Sequence, residues 1–541
     1  MIDHNLQDLG GGTASGLLAH RAALMPDKQA LLFEDEVWSY RELDDAVTRI
    51  AGGLIALGLG KGDRVASLMN NRSEYLTVGL GLNRAALVSV PLNNAFMGAF
   101  LRNPLDRTHP VAIVTESVLA GSLASVDQLP DSVRVVVFVD DVPRDWAERD
   151  IETMTLAQLE ALGEQRTPPL PDIGAGDVSA ILFTSGTTGG SKGVVCPNLM
   201  GVTMAKEHAE VFEITPRDRM FTCFPMYHGM AQVATCLTAI YAGATAILRP
   251  GFDLTNFWDD VRRYEATQFN ALGVVLALLL AMPENDQDRA HKVTRVFSAP
   301  APADVLYRFE DRFGVHLIEG YGQTETKNIM YNSTRARKIG SMGLPTPTSI
   351  VEVHDENGVR VSPGEVGEIV YRPTTSNISC LGYLNDDEAT LKASRGLWWH
   401  TGDMGSQDPD GYFYFFDRKS DSLRRRGENI SSVEVEDVLA AYPGVQMAAA
   451  IHASSELGES EVLVVLQVAE GTQIDYPHLW QFCVDRMPRF MVPRYYRTTT
   501  SIPITATGKI RKVELRDAYP QHETWDSLAE GYKVPKPGQR R

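Results

Sequence analysis

The sequence contains few cysteines, and none of them belongs to a paired motif. Five cysteines occur in 541 residues, and no two of them form a Cys-x-x-Cys pair. Structural zinc sites use closely spaced ligands, and disulfide frameworks need a denser set of cysteines. The pattern therefore argues against both and is typical of a protein from a reducing compartment.

Long hydrophobic runs and an excess of positive charge are also missing. The longest apolar run, residues 271–282, is too short to cross a bilayer and stops at Pro283, so it predicts a buried helix. The polar, glycine-rich first residues contain no apolar core of a signal peptide. The formal net charge of -18 argues against general binding to nucleic acid or anionic membranes. We therefore expect a cytoplasmic protein with no membrane span and no nucleic-acid partner.

The periodicity of the chain predicts an α/β fold with several parts. A capping box of Ser39 and Glu42 precedes helically spaced apolar residues, and short apolar strands follow at 64–69, 111–115, 133–139 and 179–184. From about residue 349 the period changes to two, which predicts a β-rich subdomain. The charged segment 417–426 is typical of a domain junction. A second capping box, Ser431 and Glu434, opens a small α+β domain that runs to about residue 520.

The segment 181–195, ILFTSGTTGGSKGVV, is the most informative part of the chain. Its small hydroxyl residues and glycines allow backbone N–H and side-chain O–H groups to converge on phosphate oxygens, and a lysine adds positive charge. It is not a Walker A loop, because Ser191 precedes the lysine and Gly193 follows it. A flexible surface loop is the alternative. The candidate phosphate-binding residues are Thr184, Ser185, Gly186, Thr187, Thr188, Gly189 and Lys192.

This loop resembles the signature loop of the ANL superfamily, which contains acyl- and aryl-CoA synthetases, peptide-synthetase adenylation domains and luciferases. Further family motifs follow in the family's order: PMYHG at 225–229, YGQTET at 321–326, HTGD at 400–403, DRKSD at 417–421 and TGKIRK at 507–512. The resemblance covers essentially the whole chain. The pattern around FYFFDRK and GENIS is most similar to carnitine- and crotonobetaine-type CoA ligases, which does not fix the substrate.

The resemblance implies a fold, a reaction and cofactors. The fold would have a large N-terminal α/β region of layered subdomains with a β-rich subdomain (1–417), a hinge (418–421, around Ser420) and a small mobile α+β C-terminal domain (422–541). ATP and Mg²⁺ would convert a small carboxylic acid into an acyl-adenylate with release of pyrophosphate. The acyl group would then pass to coenzyme A, or to a carrier-protein thiol, an amine or another nucleophile. The oligomeric state stays open between a monomer and a homodimer.

The resemblance also assigns roles to residues of the nucleotide site. Tyr321 would stack on adenine, beside Gly322, Gln323 and the Ala299–Pro300 turn. Thr324 would contact the α-phosphate, and Glu325 would hold Mg²⁺, which favours phosphate and carboxylate oxygens. Asp403 and Arg418 would bind the ribose. The alternatives are ordinary turn residues and surface charges, and a non-catalytic adenylate-binding protein is disfavoured because Glu325, Asp403, Arg418 and Lys509 occur together.

Four further positions concern the acyl group, the acceptor and catalysis. His228 would act as a gate or orienter between the acyl pocket and the thiol tunnel, although a lone histidine in an apolar stretch is more often a core residue. Lys509 matches the family's catalytic lysine. Arg424 and Gly427 belong to a segment that approaches the thiol tunnel in the family. The arginines at 424–426 could bind the 3′-phosphate of CoA. Alternatively, Arg426, which stands where many CoA ligases have a glycine, could narrow the tunnel. Met230, Ala231, Val233 and residues 327–330 either line an acyl pocket or pack in the core.

Overall fold

Two large sheets and the helices between them form most of the molecule. The computed structural model describes residues 10–166, 168–184, 192–299, 303–418, 423–425, 428–430, 432–454, 460–503, 510, 512, 515 and 524–534. The nine-stranded sheet has the order Leu344–Pro345, Lys327–Asn332, His316–Gln323, Arg295–Ser298, Gln268–Ala271, Arg219–Thr222, Thr245–Leu248, Gln29–Phe33 and Glu36–Ser39. The seven-stranded sheet has the order Glu152–Thr155, Val135–Phe138, Ala112–Thr115, Arg64–Leu68, Val88–Pro91, Val178–Thr184 and Lys192–Pro197.

Most neighbouring strands in both sheets are parallel, which requires helical crossovers and buried faces. The α-helices of the N-terminal region are Ala14–Leu24, Tyr40–Ala56, Ser73–Arg84, Ala99–Thr108, Ala120–Ala124, Arg144–Ala147, Leu156–Arg166, Asn198–Val211, Gly229–Ala231, Thr238–Ala242, Phe257–Arg263, Gly273–Ala281, Ala303–Phe313 and Asp387–Ala393. Three of them, Tyr40–Ala56, Ser73–Arg84 and Asn198–Val211, share one apolar core with strands of both sheets. The predicted α/β layering is confirmed.

The first predicted helix start is confirmed in detail. The Ser39 side chain accepts a hydrogen bond from the Glu42 backbone, and the Glu42 carboxylate accepts one from the Ser39 backbone. The helix Tyr40–Ala56 then buries Leu43, Val47 and Ile50 on its inner face. Loss of such a cap costs about 1 kcal/mol, so the box fixes where the helix begins.

The β-rich subdomain and the small C-terminal region also agree with the prediction. Ser349–His354, Gly367–Pro373, Trp399–Gln407 and Phe413–Arg418 form an antiparallel four-stranded sheet. Among the described residues, the C-terminal region contains a hairpin (Leu423–Arg425 and Glu428–Ile430), the helices Ser432–Ala440 and Tyr476–Arg486, and a sheet of Val445–Ser454, Ser460–Val468, Tyr495–Thr499 and Trp525–Asp526. Ser420 and Ser431 lie outside the described residues, so the hinge position and the second capping box stay predictions.

The apolar run 271–282 is not a single helix. Ala271 ends the strand Gln268–Ala271, where it pairs with Ser298, and the helix Gly273–Ala281 begins two residues later. An apolar run that is buried on all sides carries no periodicity, so its pattern could not separate a buried strand end from a helix. In the described part of the chain, no helix combines the length and apolarity that a membrane crossing requires.

Candidate active site

A large cavity lies where parallel strands of the nine-stranded sheet end. Gln268–Ala271, Arg295–Ser298 and His316–Gln323 run parallel, so their carboxyl ends meet at one edge, where α/β sheets bind ligands. The cavity has a volume of about 1280 Å³. Its described lining includes the predicted site residues Thr184, Lys192, His228, Ala299, Gly322, Gln323, Thr324 and Glu325. The fold therefore brings together motifs that are far apart in the sequence.

Asp403 is held beside this edge by two residues of the YGQTET motif. The Tyr321 hydroxyl donates to Asp403 Oδ2 at 2.6 Å, and Gln323 Nε2 donates to the same oxygen at 2.8 Å. Asp403 is buried and lies opposite Arg418 in the antiparallel ladder between Trp399–Gln407 and Phe413–Arg418. A buried carboxylate fixed in this way is suited to accept hydrogen bonds from hydroxyl groups. Only the backbone of Arg418 is described.

Tyr383 connects the phosphate-loop lysine with the predicted magnesium ligand. Lys192 Nζ lies 4.7 Å from the centroid of the Tyr383 ring, and the Tyr383 hydroxyl donates to Glu325 Oε1 at 2.9 Å. Burial, followed by the charge of Glu325, raises the pKa of the Tyr383 hydroxyl, so it stays protonated and keeps donating. The cation–π contact and the hydrogen bond fix the spacing of a cation and a carboxylate at one end of the cavity. No motif in the sequence indicated Tyr383.

Several predicted residues lie outside the described part of the chain. They are Ser185, Gly186, Thr187, Thr188 and Gly189 of the phosphate loop, Pro300, Gly427 and Lys509. Their roles stay predictions. The loop is flanked by Val178–Thr184 and Lys192–Pro197, which pair antiparallel, so its two ends meet at the cavity.

His228 contacts the C-terminal hairpin and is not a core residue. Its side chain is 42% exposed, and its Nε2 lies 3.1 Å from Glu428 Oε2. The adjacent Tyr227 donates its hydroxyl to Glu428 Oε1 at 2.9 Å. Burial raises the pKa of the Glu428 carboxyl, but His228 and the Tyr227 hydroxyl outweigh it, so that pKa lies below its ordinary value. One partly buried carboxylate thus joins the hairpin to the motif that lines the cavity.

A buried asparagine holds this motif in place. Asn71 Nδ2 donates to the Phe224 carbonyl at 2.8 Å, and Asn71 Oδ1 accepts from the Met226 amide at 2.8 Å. The two bonds fix the backbone just before Tyr227 and His228. The sequence could not indicate this contact, because Asn71 is more than 150 residues away from the motif.

Arg425 does not serve as a free cation at the acceptor tunnel. Its Nε lies 2.7 Å from Glu461 Oε2, and its Nη1 donates to the Val492 carbonyl at 2.7 Å. The Arg425 side chain is only 11% exposed and holds the hairpin against the small C-terminal sheet. These contacts give Arg425 a structural role in the hairpin, and binding of a CoA phosphate by residues 424–426 stays a prediction. Arg424 has only its backbone described, in the hairpin strand.

The acyl-pocket candidates divide between the cavity and the core. Met230, Val233, Lys327 and Asn328 line the cavity. Ala231, Ile329 and Met330 are fully buried in hydrophobic clusters. Val233 belongs to a π-helical segment, Gln232–Leu237, and π-helical turns are frequent at functional sites.

Lys327 has a structural partner that the sequence did not indicate. Its Nζ lies 2.5 Å from Glu207 Oε2, and both side chains are buried, with 0% and 4% exposure. Its ammonium also donates to Thr346 Oγ1 at 3.2 Å and to Ser349 Oγ at 3.3 Å. The residue has a φ of 64°, which is uncommon outside glycine. The ion pair therefore stabilises an unusual turn directly after the YGQTET motif.

Lys327→Met should destabilise the protein by about 3–5 kcal/mol, because it leaves the Glu207 carboxylate buried without its partner. The free energy of unfolding in urea measures the effect. Adding Glu207→Gln should recover part of the loss. Lys206→Met removes a neighbouring ion pair with the more exposed Glu210 and should cost below about 1 kcal/mol. An equal effect of the two single changes would contradict the assignment.

Comparisons with known proteins find similar proteins over nearly the whole chain. The family model for AMP-binding enzymes matches residues 18–383, and that for the AMP-binding enzyme C-terminal domain matches residues 434–509. A crotonobetaine/carnitine–CoA ligase of Salmonella typhi is 28% identical over 522 residues, covering 94% of this chain and 99% of that protein. A Mycobacterium tuberculosis fatty acyl CoA synthetase is 26% identical, with a TM-score of 0.67 and coverage of 94% and 98%. An amide bond synthetase of Marinactinospora thermotolerans is 24% identical, with a TM-score of 0.80 and coverage of 93% and 99%.

The fold and the site define an ATP-binding, adenylate-forming ligase that activates carboxylic acids. The predicted ANL fold, a large N-terminal region with α/β and β-rich parts followed by a small C-terminal domain, is confirmed. The chain belongs to the AMP-binding enzyme family, and within it to the AMP-forming acid–CoA ligases.

Proposed function

We propose that this enzyme converts a small carboxylic acid into its acyl-adenylate and then into its coenzyme A thioester. The observation that carries the proposal is the shared cavity, in which Lys192, Thr324 and Glu325 lie together and which His228, bound by the C-terminal hairpin, also lines. The cation, hydroxyl and carboxylate suit the phosphate end of a nucleotide. The contact between Glu428 of the hairpin and His228 suits a second step, transfer of the acyl group to coenzyme A, at the same cavity.

In the first step, a carboxylate oxygen of the acid attacks the α-phosphorus of ATP, and the bond to the pyrophosphate oxygen breaks. Negative charge grows on the transferring phosphate, so positioned positive charge is the main requirement. Lys192, Thr324 and the backbone N–H groups of the phosphate loop would supply it, together with Lys509 from the C-terminal domain. Glu325 would hold Mg²⁺, because one carboxylate beside phosphates matches the ion's preference for oxygen ligands. Tyr383 keeps this carboxylate in position.

In the second step, the thiolate of coenzyme A attacks the acyl carbonyl carbon, and AMP leaves with the electrons of the broken bond. Asp403, Tyr321 and Arg418 would keep hold of the nucleotide through both steps. His228 would orient the acyl group for the thiol while Glu428 fixes its ring. Between the two steps the C-terminal domain would turn about residues 418–421, which lets one cavity serve two reactions.

Incubation with ATP, Mg²⁺ and a panel of carboxylic acids should release AMP and pyrophosphate in equal amounts. Nucleotide chromatography and a pyrophosphate assay measure the products, and the reaction without acid is the control. ADP as the main product would contradict the proposal. Adding coenzyme A should convert the adenylate into a thioester. If adenylate accumulates with coenzyme A present, the acceptor is instead a carrier-protein thiol, an amine or another nucleophile.

A further inference from the structure

Besides His228, three helical segments contribute lining residues to the cavity. The first wall is helix Ser73–Arg84, which contributes Tyr75, Leu76, Gly79, Leu80 and Asn83. The second is helix Asn198–Val211, with Met200, Gly201 and Met204. The third contains Val233 and Leu237 of the π-helical segment and Ile240 of the following helix. We call this space the acyl branch.

All of these lining side chains are uncharged, and most of them are apolar. The charged described residues that line the cavity lie at the nucleotide end, as Lys192 and Glu325 do, or in the β-rich subdomain and its helix at residues 368–400. Lys327 is the exception, and its ammonium is bound to Glu207. A second carboxylate or a cation on the acyl group would therefore enter the branch without a charged partner among the described residues, which is costly in a buried site.

Gly79 leaves space in a wall that is otherwise closely packed. The neighbouring residues Val78 and Leu80 are buried, whereas Gly79 is only half-buried. A Cβ atom built on Gly79 would have no heavy atom within 4 Å. Gly81 on the same helix is different, because a Cβ there would lie 2.6 Å from Ile50 Cγ2. The open side of Gly79 therefore faces the acyl branch and not the protein core.

Tyr75 marks the mouth of the branch. Its hydroxyl is buried and has no hydrogen-bond partner among the described residues. Burial and the charge of Glu428 are the main causes of the raised pKa of Tyr227, and Tyr75 contributes a smaller part. Tyr75 therefore lies near the Tyr227–His228 motif. This end of the helix therefore lies on the same side of the cavity as the Tyr227–His228 motif.

The helix also gives the depth of the branch. Asn83, the last lining residue of this helix, donates to Asn198 Oδ1 at 2.6 Å and accepts from the Ser15 amide at 3.0 Å, which fixes its side-chain amide. Asn83 follows Tyr75 by eight helical steps, which cover about 12 Å. An extended chain advances about 3.5 Å for three bonds, so this depth holds roughly ten bonds. Gly79 lies halfway along.

We infer that the acyl branch binds the uncharged, mainly apolar acyl group of a medium-chain acid, and that Gly79 sets the chain length. This inference rests on the proposed function. Burial of each methylene contributes roughly a fourfold gain in affinity, so a side chain that fills half of the branch changes selectivity strongly.

The test measures pyrophosphate release with straight-chain acids of four to sixteen carbons, a dicarboxylic acid and a trimethylammonium acid. The wild-type enzyme should have its highest kcat/KM near ten carbons. Gly79→Leu should lower the ratio of kcat/KM for the ten-carbon acid to that for the four-carbon acid at least tenfold. Leucine is a better helix former than glycine, so the variant should fold. Gly121→Leu is the matched control, because Gly121 is an exposed helical glycine whose added Cβ also meets nothing within 4 Å.

Each other outcome overturns the inference. A preference of the wild type for the dicarboxylic or the trimethylammonium acid contradicts an uncharged acyl group. A rise in the KM for coenzyme A in Gly79→Leu, with the chain-length ratio unchanged, assigns the branch to the thiol arm of that cofactor. An equal loss for all acids assigns Gly79 to folding. Failure of the proposed function is distinguishable, because the wild type would then release no pyrophosphate with any acid.

Discussion

Replacing Lys509 with alanine should slow formation of the acyl-adenylate by about a hundredfold or more, and leave the thioester step nearly unchanged. This is the scale expected when one positioned charge is removed from a developing anionic transition state. Lys509 belongs to the small C-terminal domain, whereas Lys192 and Glu325 belong to the large one. In the proposed mechanism it would reach the α-phosphate in only one orientation of the C-terminal domain. Single-turnover adenylate formation, and thioester formation from synthetic acyl-adenylate with coenzyme A, measure the two steps separately.

Two other lysines provide the comparison for Lys509→Ala. Lys512 is bound to Glu436 Oε1 at 2.6 Å and to Ser432 Oγ at 2.6 Å, so Lys512→Ala should weaken the C-terminal domain and affect both steps. Lys533 is exposed, and Lys533→Ala should change neither step. Equal losses in both steps with Lys509→Ala would remove Lys509 from the adenylation chemistry.

Glu428→Gln should slow the thioester step and spare adenylate formation, which is the reverse of the effect expected for Lys509→Ala. It removes the charge that binds the hairpin to Tyr227 and His228, and hydrogen bonds to a charged group contribute about 1.5–3 kcal/mol. We therefore expect the thioester step to slow by roughly a factor of ten to a hundred, because the hairpin no longer holds the C-terminal domain against the cavity. Adenylate formation should be unchanged or slightly faster. The same two single-step assays measure the result.

The matched control for Glu428→Gln is Asp437→Asn, which neutralises an exposed carboxylate on the next helix. It should leave both steps at the wild-type rate. Tyr227→Phe, which removes only the hydroxyl bound to Glu428 Oε1, should give a smaller loss in the same step. A slower adenylation step in Glu428→Gln would show that the contact does not select the thioester-forming arrangement.

The elements that the sequence predicted well are those with a local signal. The capping box at Ser39 and Glu42 and the period-two strands of the β-rich subdomain depend on neighbours a few residues apart, and both are confirmed. The motif residues Gln323, Glu325 and Lys192 were recognisable because their types and spacing are unusual. Gln323 and Glu325 lie at the carboxyl end of a strand of the nine-stranded sheet, whereas Lys192 begins a strand of the seven-stranded sheet, so their convergence on one cavity depends on how the two sheets pack.

The contacts between distant segments could not be predicted. Tyr383, Asn71 and Glu428 each act through a partner that is at least 58 residues away. A single tyrosine, asparagine or glutamate has many ordinary roles, and only the fold selects one of them. The same reason explains why the partner of Arg425 was not predicted. The neighbouring arginines indicated an anion site, whereas the Arg425 side chain is bound to the distant Glu461.

The π-helical segment Gln232–Leu237 makes the cavity wall to which it contributes sensitive to the number of residues in the segment. A π turn holds one residue more than an α turn, so each side chain after it is rotated by about 100° relative to a continuous α-helix. Thr235 Oγ1 and Asn270 Nδ2 both bind the Met230 carbonyl and keep the wider turn in place. Deleting one residue here would turn Leu237 and Ile240 away from the cavity at once. An insertion or deletion of one residue in this segment would therefore reshape this wall of the cavity without replacing any of the side chains that line it.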